Sequence, residues 1–149
     1  MNKKATILFA DDDPDILEMI SYNLEKEGYN VVTAVNGEEA VELCEKVLPD
    51  LILLDVMMPK MDGVEVCETI RKMDLPSQPL IAFLTSRAED YSQIAGFSAG
   101  GDDYINKPIR PKVLLSRIEA LLRRAPITID DKTSADLLLD PDRFLLLFK

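Results

Sequence analysis

The sequence predicts an α/β protein built on an open parallel β-sheet with helices on both of its faces. Short apolar runs of strand length alternate five times with longer stretches in which apolar residues recur at helical spacing. The run 50–55 is apolar without alternation up to its closing acid, which is typical of a strand buried on both faces of a parallel sheet. Strands joined by helices require right-handed crossovers, which cover such a sheet on both sides.

Glycine, proline and asparagine separate the predicted elements. Pro14 opens the first helix and Gly28 closes it, whereas Asn36-Gly37 leads into the second helix and Pro49 ends it. The predicted strands are 5–10, 30–35, 50–55, 80–84 and 102–105. The later predicted helices are 64–73, 89–99 and 110–124. Of these three, the middle helix has the weakest pattern.

Length and charge limit the functions open to the chain. A chain of 149 residues, 47% of them apolar, builds one substantial core, so one domain and a tail are expected. The formal net charge of −10 disfavours non-specific binding of this part to DNA. Because no apolar run reaches the length of a bilayer span and the first residues lack a signal-peptide pattern, we expect a cytoplasmic protein without a membrane partner.

Two residue types narrow the chemistry further. Histidine is absent, which removes the commonest general base, the commonest metal ligand and any phosphohistidine chemistry within this chain. The two cysteines, Cys44 and Cys67, lie among apolar residues of predicted helices. We interpret them as reduced core residues rather than as a disulfide or a metal site.

Polar residues gather at the carboxyl ends of the predicted strands. Asp11 and Asp12 follow the first strand, Asp55 ends the third, Thr85 follows the fourth and Lys107 follows the fifth. Ligands of open α/β sheets bind at this edge. Carboxylates that share a small space need a counter-charge, and oxygen ligands without histidine or cysteine select a hard cation such as Mg²⁺. The set fits phosphoryl transfer, in which a carboxylate can serve as the nucleophile.

Four motifs in register resemble the receiver domain of two-component response regulators. The resemblance spans residues 4–124, and its motifs lie at 7–13, 51–59, 84–86 and 102–108. Each motif alone is weak, because acidic strand ends, a threonine after a strand and Lys-Pro pairs are common. Together they imply a flavodoxin-like doubly wound sheet with strand order 2-1-3-4-5. They also imply a phosphorylation-dependent signalling switch rather than a turnover enzyme.

The resemblance assigns Asp55 as the phosphoacceptor, which takes a phosphoryl group from a histidine kinase with Mg²⁺ as the cofactor. Asp12 and Asp55 are then direct ligands of the ion, Asp11 is a ligand through water, and Met57 contributes its backbone carbonyl. Asp13 matches no metal ligand of the family, so we interpret it as a charge at the start of the first helix.

Two further residues are implied as contacts of the phosphoryl group. Lys107 contacts one phosphoryl oxygen as a point charge, and the hydroxyl of Thr85 contacts another. Without phosphate, Lys107 is expected to pair with Asp55. The Lys107-Pro108 bond resembles the cis peptide of the family.

The resemblance also implies how the switch works. On phosphorylation, Thr85 moves toward the phosphoryl group and Tyr104 turns inward, which remodels the face formed by the predicted helix 89–99, the last strand and the last helix. Without the resemblance, Tyr104 is interpreted as a half-buried aromatic residue of a short edge strand. Met57 and Arg87 border the path of attacking water and are expected to tune the lifetime of the phosphate.

Charges on that face match the DNA-binding subclass with a winged-helix effector domain, whose subunits pair through it. The matching residues are Asp102, Asp103, Arg117 and Arg124. Gln93 and Val113 replace a basic and an acidic residue of the pattern, so one cross-subunit ion pair is missing. Because surface ion pairs contribute only about 0–1 kcal/mol each, we still expect a homodimer through this face.

Residues 125–149 are predicted to form a linker and an apolar tail. The stretch 137–148 has the pattern of a hairpin that turns at 140–142, and it resembles the start of a winged-helix effector domain. The chain is then part of a transcription regulator that reaches DNA through a missing domain, or a stand-alone receiver that acts by protein contacts. A Mg²⁺-dependent phosphohydrolase is a weaker third hypothesis, because no second acid or base clearly accompanies Asp55.

Overall fold

The computed structural model describes residues 5–86 and 99–123, which contain a five-stranded sheet and four helices. The strands are β1 (Thr6–Ala10), β2 (Asn30–Ala34), β3 (Leu51–Asp55), β4 (Leu80–Ser86) and β5 (Asp103–Lys107). The helices are α1 (Pro14–Lys26), α2 (Gly37–Val47), α3 (Gly63–Arg71) and α4 (Pro111–Arg123). None of these helices combines the length and apolar composition that crossing a membrane requires.

All strand pairs in the sheet are parallel, and the strand order is β2-β1-β3-β4-β5. The predicted α/β class and the order 2-1-3-4-5 are therefore confirmed. The direction of winding reverses at β1, which has β2 on one side and β3 on the other. The carboxyl ends of β1, β3, β4 and β5 consequently lie side by side at one edge.

Two apolar layers, one on each face of the sheet, hold the helices in place. Successive residues of a strand point to opposite faces, so a central strand must be apolar at every position. Ile52 and Leu54 pack in the layer that contains α2 and α3, whereas Leu51 and Leu53 pack in the layer of α1 and α4. All four are fully buried, which explains the unbroken apolar pattern of β3.

Short polar side chains determine where the helices begin. The carboxylate of Asp13 accepts a hydrogen bond of 3.0 Å from the amide of Asp15, and Asn36 accepts one of 2.8 Å from the amide of Glu39. Asp62 starts α3 with a capping box. The interpretation of Asp13 as a helix-start residue is confirmed, since it caps α1.

Element boundaries differ from the predicted ones by one or two residues. β4 and β5 continue further than predicted because they pair with each other as far as Ser86 and Lys107. α3 ends at Arg71 rather than two residues later, and Val35 lies outside β2 with 51% of its surface exposed. The predicted helix 89–99 falls outside the described residues, apart from its last position.

Both cysteines are fully buried free thiols, so their interpretation as core residues is confirmed. Cys44 lies on α2 and Cys67 on α3, within the same apolar layer. Burial raises the pKa of Cys67 to about 11, which keeps this thiol protonated at neutral pH.

Candidate functional site

The sheet brings the predicted site residues to one edge. Asp11 and Asp12 follow β1, Asp55 is the last residue of β3, Thr85 lies near the end of β4, and Lys107 ends β5. Asp11, Asp55 and Thr85 are buried, and they are the polar residues that the described part of the chain buries most completely. Burying polar groups costs free energy unless they are paired, so their concentration here marks a functional edge.

Lys107 bridges the two buried carboxylates. Its Nζ lies 3.3 Å from Oδ1 of Asp55 and 3.5 Å from Oδ2 of Asp11. The structure therefore contains the expected pair with Asp55 and adds a second carboxylate that sequence reasoning did not assign to Lys107. The Lys107-Pro108 peptide bond is cis, as the resemblance implied.

Backbone amides orient both buried carboxylates. The amide of Asp13 donates a hydrogen bond of 3.0 Å to Oδ1 of Asp11, and the amide of Met57 donates one of 3.3 Å to Oδ1 of Asp55. In both cases the donor is two residues further along, so the chain turns back over its own carboxylate. The start of α3 approaches the end of β3 closely. A Cβ at Gly63 would lie only 2.7 Å from the carbonyl oxygen of Asp55, so a side chain at this position would clash with the backbone.

Burial dominates the electrostatics of Asp55. Desolvation raises the pKa of Asp55 to about 6, and the Asp11 carboxylate adds to the rise, whereas Lys107 and the amide of Met57 oppose it. Burial acts to lower the pKa of Lys107, but the carboxylates of Asp55 and Asp11 more than offset this and raise it above its ordinary value. Lys107 is thus held as a cation beside two acids.

Three carboxylates form a group that suits a divalent cation. Oxygens of Asp11, Asp12 and Asp55 all lie within 4.8 Å of one another. Asp11 and Asp55 are buried, whereas Asp12 is exposed and leaves the group open to solvent on its side. Oxygen ligands with an open side fit Mg²⁺, which retains several waters and often binds phosphate oxygens. A cation here would also relieve the repulsion between the buried acids.

Thr85 and Tyr104 lie on neighbouring strands at this edge. Asp55 pairs in register with Leu84, so Thr85 is one residue further toward the edge. Tyr104 is 7% exposed, and its ring packs against Phe83, with ring centroids 5.0 Å apart. The alternative interpretation of Tyr104 as half-buried is therefore wrong, although β5 is an edge strand. The switching role of both residues stays a prediction.

The acidic residues of the predicted dimer face have partners within the chain. Nη1 of Arg117 lies 2.9 Å from both carboxylate oxygens of Asp103. Nη2 of Arg71 lies 3.0 Å from Oδ2 of Asp102. A partner subunit that binds either acid must share it with these internal arginines.

Several residues predicted for the dimer face or for tuning the lifetime of the phosphate are outside the described residues or exposed. Arg87, Gln93 and Arg124 lie outside the described residues, as do residues 124–149 with the predicted linker and tail. Val113 is described and 46% exposed, so the replacement of the expected acid lies on the surface of α4. Met57 is 63% exposed, two residues after Asp55 in sequence.

Sequence reasoning missed an apolar groove beside the acidic group. Its volume is about 250 Å³, and it is lined by Ile16, Met19, Lys107, Pro108 and Ile109. One feature of the sequence could have indicated the groove. Met19 is an apolar residue three positions after Ile16, yet it lies outside the buried face of α1.

Similarity to known proteins agrees with the observed fold. The sequence profile of the response regulator receiver domain matches residues 7–119. Over 127 residues the chain is 46% identical to the alkaline phosphatase synthesis transcriptional regulatory protein PhoP of Bacillus subtilis, and the match covers 85% of this chain and 51% of PhoP. Over 118 residues it is 42% identical to the DNA-binding dual master transcriptional regulator RpaA of Synechocystis sp., covering 79% and 49% respectively.

A solved structure of a two-component response regulator from Clostridium difficile superposes on 81% of this chain and 98% of its own, with a TM-score of 0.75 and 32% identity. The chain spans about half the length of the curated relatives it matches. Receiver domains bind Mg²⁺ at an acidic pocket and act with histidine kinases as signalling regulators rather than as turnover enzymes. The chain belongs to the response regulator receiver family, whose members are phosphorylation-dependent switches.

Proposed function

We propose that Asp55 accepts the phosphoryl group and that Lys107 and Thr85 contact its oxygens. The observation that carries this proposal is the position of Lys107 Nζ, within 3.5 Å of two buried carboxylates at the ligand-binding edge of the sheet. Phosphoryl transfer depends on positioning and on neutralising the charge of the equatorial oxygens. At this edge the Asp55 carboxylate, as the nucleophile, lies beside the Lys107 ammonium group, which can neutralise charge on the phosphoryl oxygens.

The chain's own residues divide the chemistry between them. A carboxylate oxygen of Asp55 attacks the phosphorus atom, the bond to the leaving group of the donor breaks, and an acyl phosphate forms. The amide of Met57 holds one oxygen of the acceptor in place. Lys107 then exchanges its pairing with Asp55 for a phosphoryl oxygen. When bound, Mg²⁺ would supply further neutralisation of the phosphoryl oxygens, with Asp12, Asp55 and the carbonyl of Met57 as direct ligands and Asp11 as a ligand through water.

Asp12→Ala is expected to weaken Mg²⁺ binding by at least about tenfold, because it removes one of three carboxylates from the group. The fold should be retained, since Asp12 is exposed. Calorimetric titration with Mg²⁺ measures the affinity, and circular dichroism checks the fold. Asp15→Ala is the matched control, as it removes an exposed acid of the same stretch that lies outside the group. An unchanged titration of Asp12→Ala would remove this residue from the site.

The apolar groove is the proposed docking place of the histidine kinase. Lys107 lines the groove and also pairs with Asp55, so a protein seated there can deliver a phosphoryl group to the acceptor. Met19 is 42% exposed at this groove, which leaves its side chain available to a partner. Partly exposed apolar side chains around a reactive group commonly anchor a partner protein.

Met19→Glu is expected to slow phosphotransfer from the kinase by about tenfold, because a charge enters an apolar contact. Phosphorylation by acetyl phosphate should stay unchanged, since a small donor needs no docking surface. Rates of phosphoryl incorporation with the two donors give the comparison. Leu48→Glu is the control, since Leu48 is 46% exposed at the end of α2, away from the groove. Equal losses with both donors would assign the effect of Met19→Glu to the site itself.

We further propose that residues 4–124 are the receiver domain of a cytoplasmic transcription regulator and that 125–149 begin its winged-helix effector domain. Support comes from PhoP and RpaA, which are transcriptional regulators. The match to this chain covers about half of the length of each. Phosphorylation would promote a homodimer through the face that carries Asp103 and Arg117, and DNA binding would belong to the effector domain. Sizing of the full-length protein with and without phosphate tests the dimer.

A further inference from the structure

A single arginine ties the end of α3 to the start of β5. The guanidinium group of Arg71 donates to the carbonyl of Gly100 from Nε (3.0 Å) and from Nη2 (2.7 Å), and Nη2 also pairs with Asp102 (3.0 Å). Nη1 donates to the carbonyl of Pro79 (2.7 Å) and to the side chain of Gln78 (2.9 Å). Arg71 thereby joins a helix end, the loop before β4 and the turn before β5. We call these five residues the Arg71 anchor.

Two residues of the Arg71 anchor, Asp102 and Gly100, are further constrained by their surroundings. Oδ2 of Asp102 also accepts a hydrogen bond of 2.9 Å from the amide of Ile81, while the amide of Asp102 donates to the carbonyl of Ile81 at 2.7 Å. Gly100 has a φ of 108°, and a Cβ there would lie 2.9 Å from Cγ and Nε of Arg71. Glycine is therefore required both by the backbone conformation and by the close approach of the arginine.

The anchor lies at the opposite end of the strands from the phosphorylation site. It holds the starts of β4 and β5, while Thr85 and Lys107 lie at their far ends. Asp103, the first residue of β5, pairs with Arg117 of α4. Tyr104 is the next residue of the strand. β4 and β5 are thus held at their starts by the Arg71 anchor, and their far ends carry Thr85 and Lys107 of the phosphorylation site.

We propose that Arg71 is a positioning residue of the switch, which holds the start of β5 so that the strand transmits phosphorylation of Asp55 to Asp103 and Tyr104. Small shifts at one site become discrete changes elsewhere because packed elements are bistable rather than continuously deformable, and Arg71 supplies much of the hydrogen bonding that fixes the start of β5. Arginine suits this task because its planar fork of donors reaches several acceptors at once, whereas lysine offers one compact ammonium group. This inference rests on the proposed function of Asp55.

A merely structural role for Arg71 predicts a different result. If Arg71 only stabilises the domain, its loss lowers the unfolding temperature but leaves the response of β5 to phosphorylation unchanged in the folded protein. If Arg71 positions β5, the response itself shrinks. The amide NMR shifts of Asp103 and Tyr104 report this response when they are recorded before and after phosphorylation at a concentration where sizing shows the protein as a monomer.

The test compares variants of the full chain, phosphorylated with acetyl phosphate and Mg²⁺ and checked by intact mass. Arg71→Ala is expected to take up phosphate on Asp55, yet the shift change at Asp103 and Tyr104 should fall by about threefold or more. Arg71→Lys should recover only part of the change. Lys72→Ala, which removes the neighbouring exposed cation, should behave as the wild type.

Gly100→Ala gives an independent arm, because its Cβ would displace Arg71. It should reduce the shift change in the wild-type background by more than it does in the Arg71→Ala background, where the clash with the arginine is absent and only the strain of the positive φ remains. A phosphorylated, folded Arg71→Ala with the full wild-type response overturns the inference, as does a wild type whose two amides ignore phosphorylation. A wild type that takes up no phosphate on Asp55 overturns the proposed function instead, and the mass measurement distinguishes this case.

Discussion

Asp55→Asn is expected to abolish phosphoryl incorporation from any donor. The amide of asparagine has nearly the shape of the carboxyl group but lacks the negative oxygen that attacks phosphorus. Lys107 keeps its second partner, Asp11, so the geometry of the edge should persist. The measurement is the intact mass after incubation with acetyl phosphate and Mg²⁺, together with the lability of the label to hydroxylamine, which cleaves acyl phosphates.

Asp50→Asn provides the matched control, because it makes the same chemical change just before β3, at the opposite end of the strand from Asp55. Asp50 is exposed and accepts a hydrogen bond from the amide of Thr6, at the edge of the sheet away from the acceptor. This variant should take up phosphate as the wild type does. Persistent labelling of Asp55→Asn would place the acceptor on another carboxylate, with Asp12 as the first to examine because it is the exposed member of the acidic group.

The same Asp55→Asn substitution is expected to stabilise the Mg²⁺-free protein at neutral pH. Burial and the Asp11 carboxylate raise the pKa of Asp55 from 3.8 to about 6 in the folded state. Between these values the folded protein keeps a proton that the unfolded chain has lost, so stability falls as the pH rises through this window. Above it the ionised carboxylate costs about 3 kcal/mol, a cost that a neutral asparagine avoids.

Urea unfolding in the presence of a chelator measures this difference. Near neutral pH, Asp55→Asn should exceed the wild type in free energy of unfolding by up to about 3 kcal/mol, and the difference should shrink toward zero at about pH 4. The raised pKa of Lys107 lies above this range, so Lys107 stays charged throughout. Added Mg²⁺ should stabilise the wild type more than the variant. A difference independent of pH would assign the effect to packing.

The sequence alone determined the class of fold and the residues of the candidate site. Local apolar patterns are sufficient for this, because a strand buried on both faces needs apolar residues throughout and a helix on the sheet needs an apolar stripe. The carboxyl ends of parallel strands meet at one edge, so the order of strands and polar residues in the sequence is enough to predict that Asp55 and Lys107 lie close together. Strand order was different, because it came from the resemblance to a known family rather than from periodicity.

Only the tertiary structure decided which partners the polar side chains choose. Lys107 bridges Asp55 and Asp11, Arg71 reaches Gly100 and Asp102, and the ring of an edge-strand tyrosine is buried against Phe83. These contacts join residues far apart in the chain, and they depend on the reach and direction of side chains across packed elements. Periodicity reports which face a residue occupies, but not which distant atom lies opposite that face.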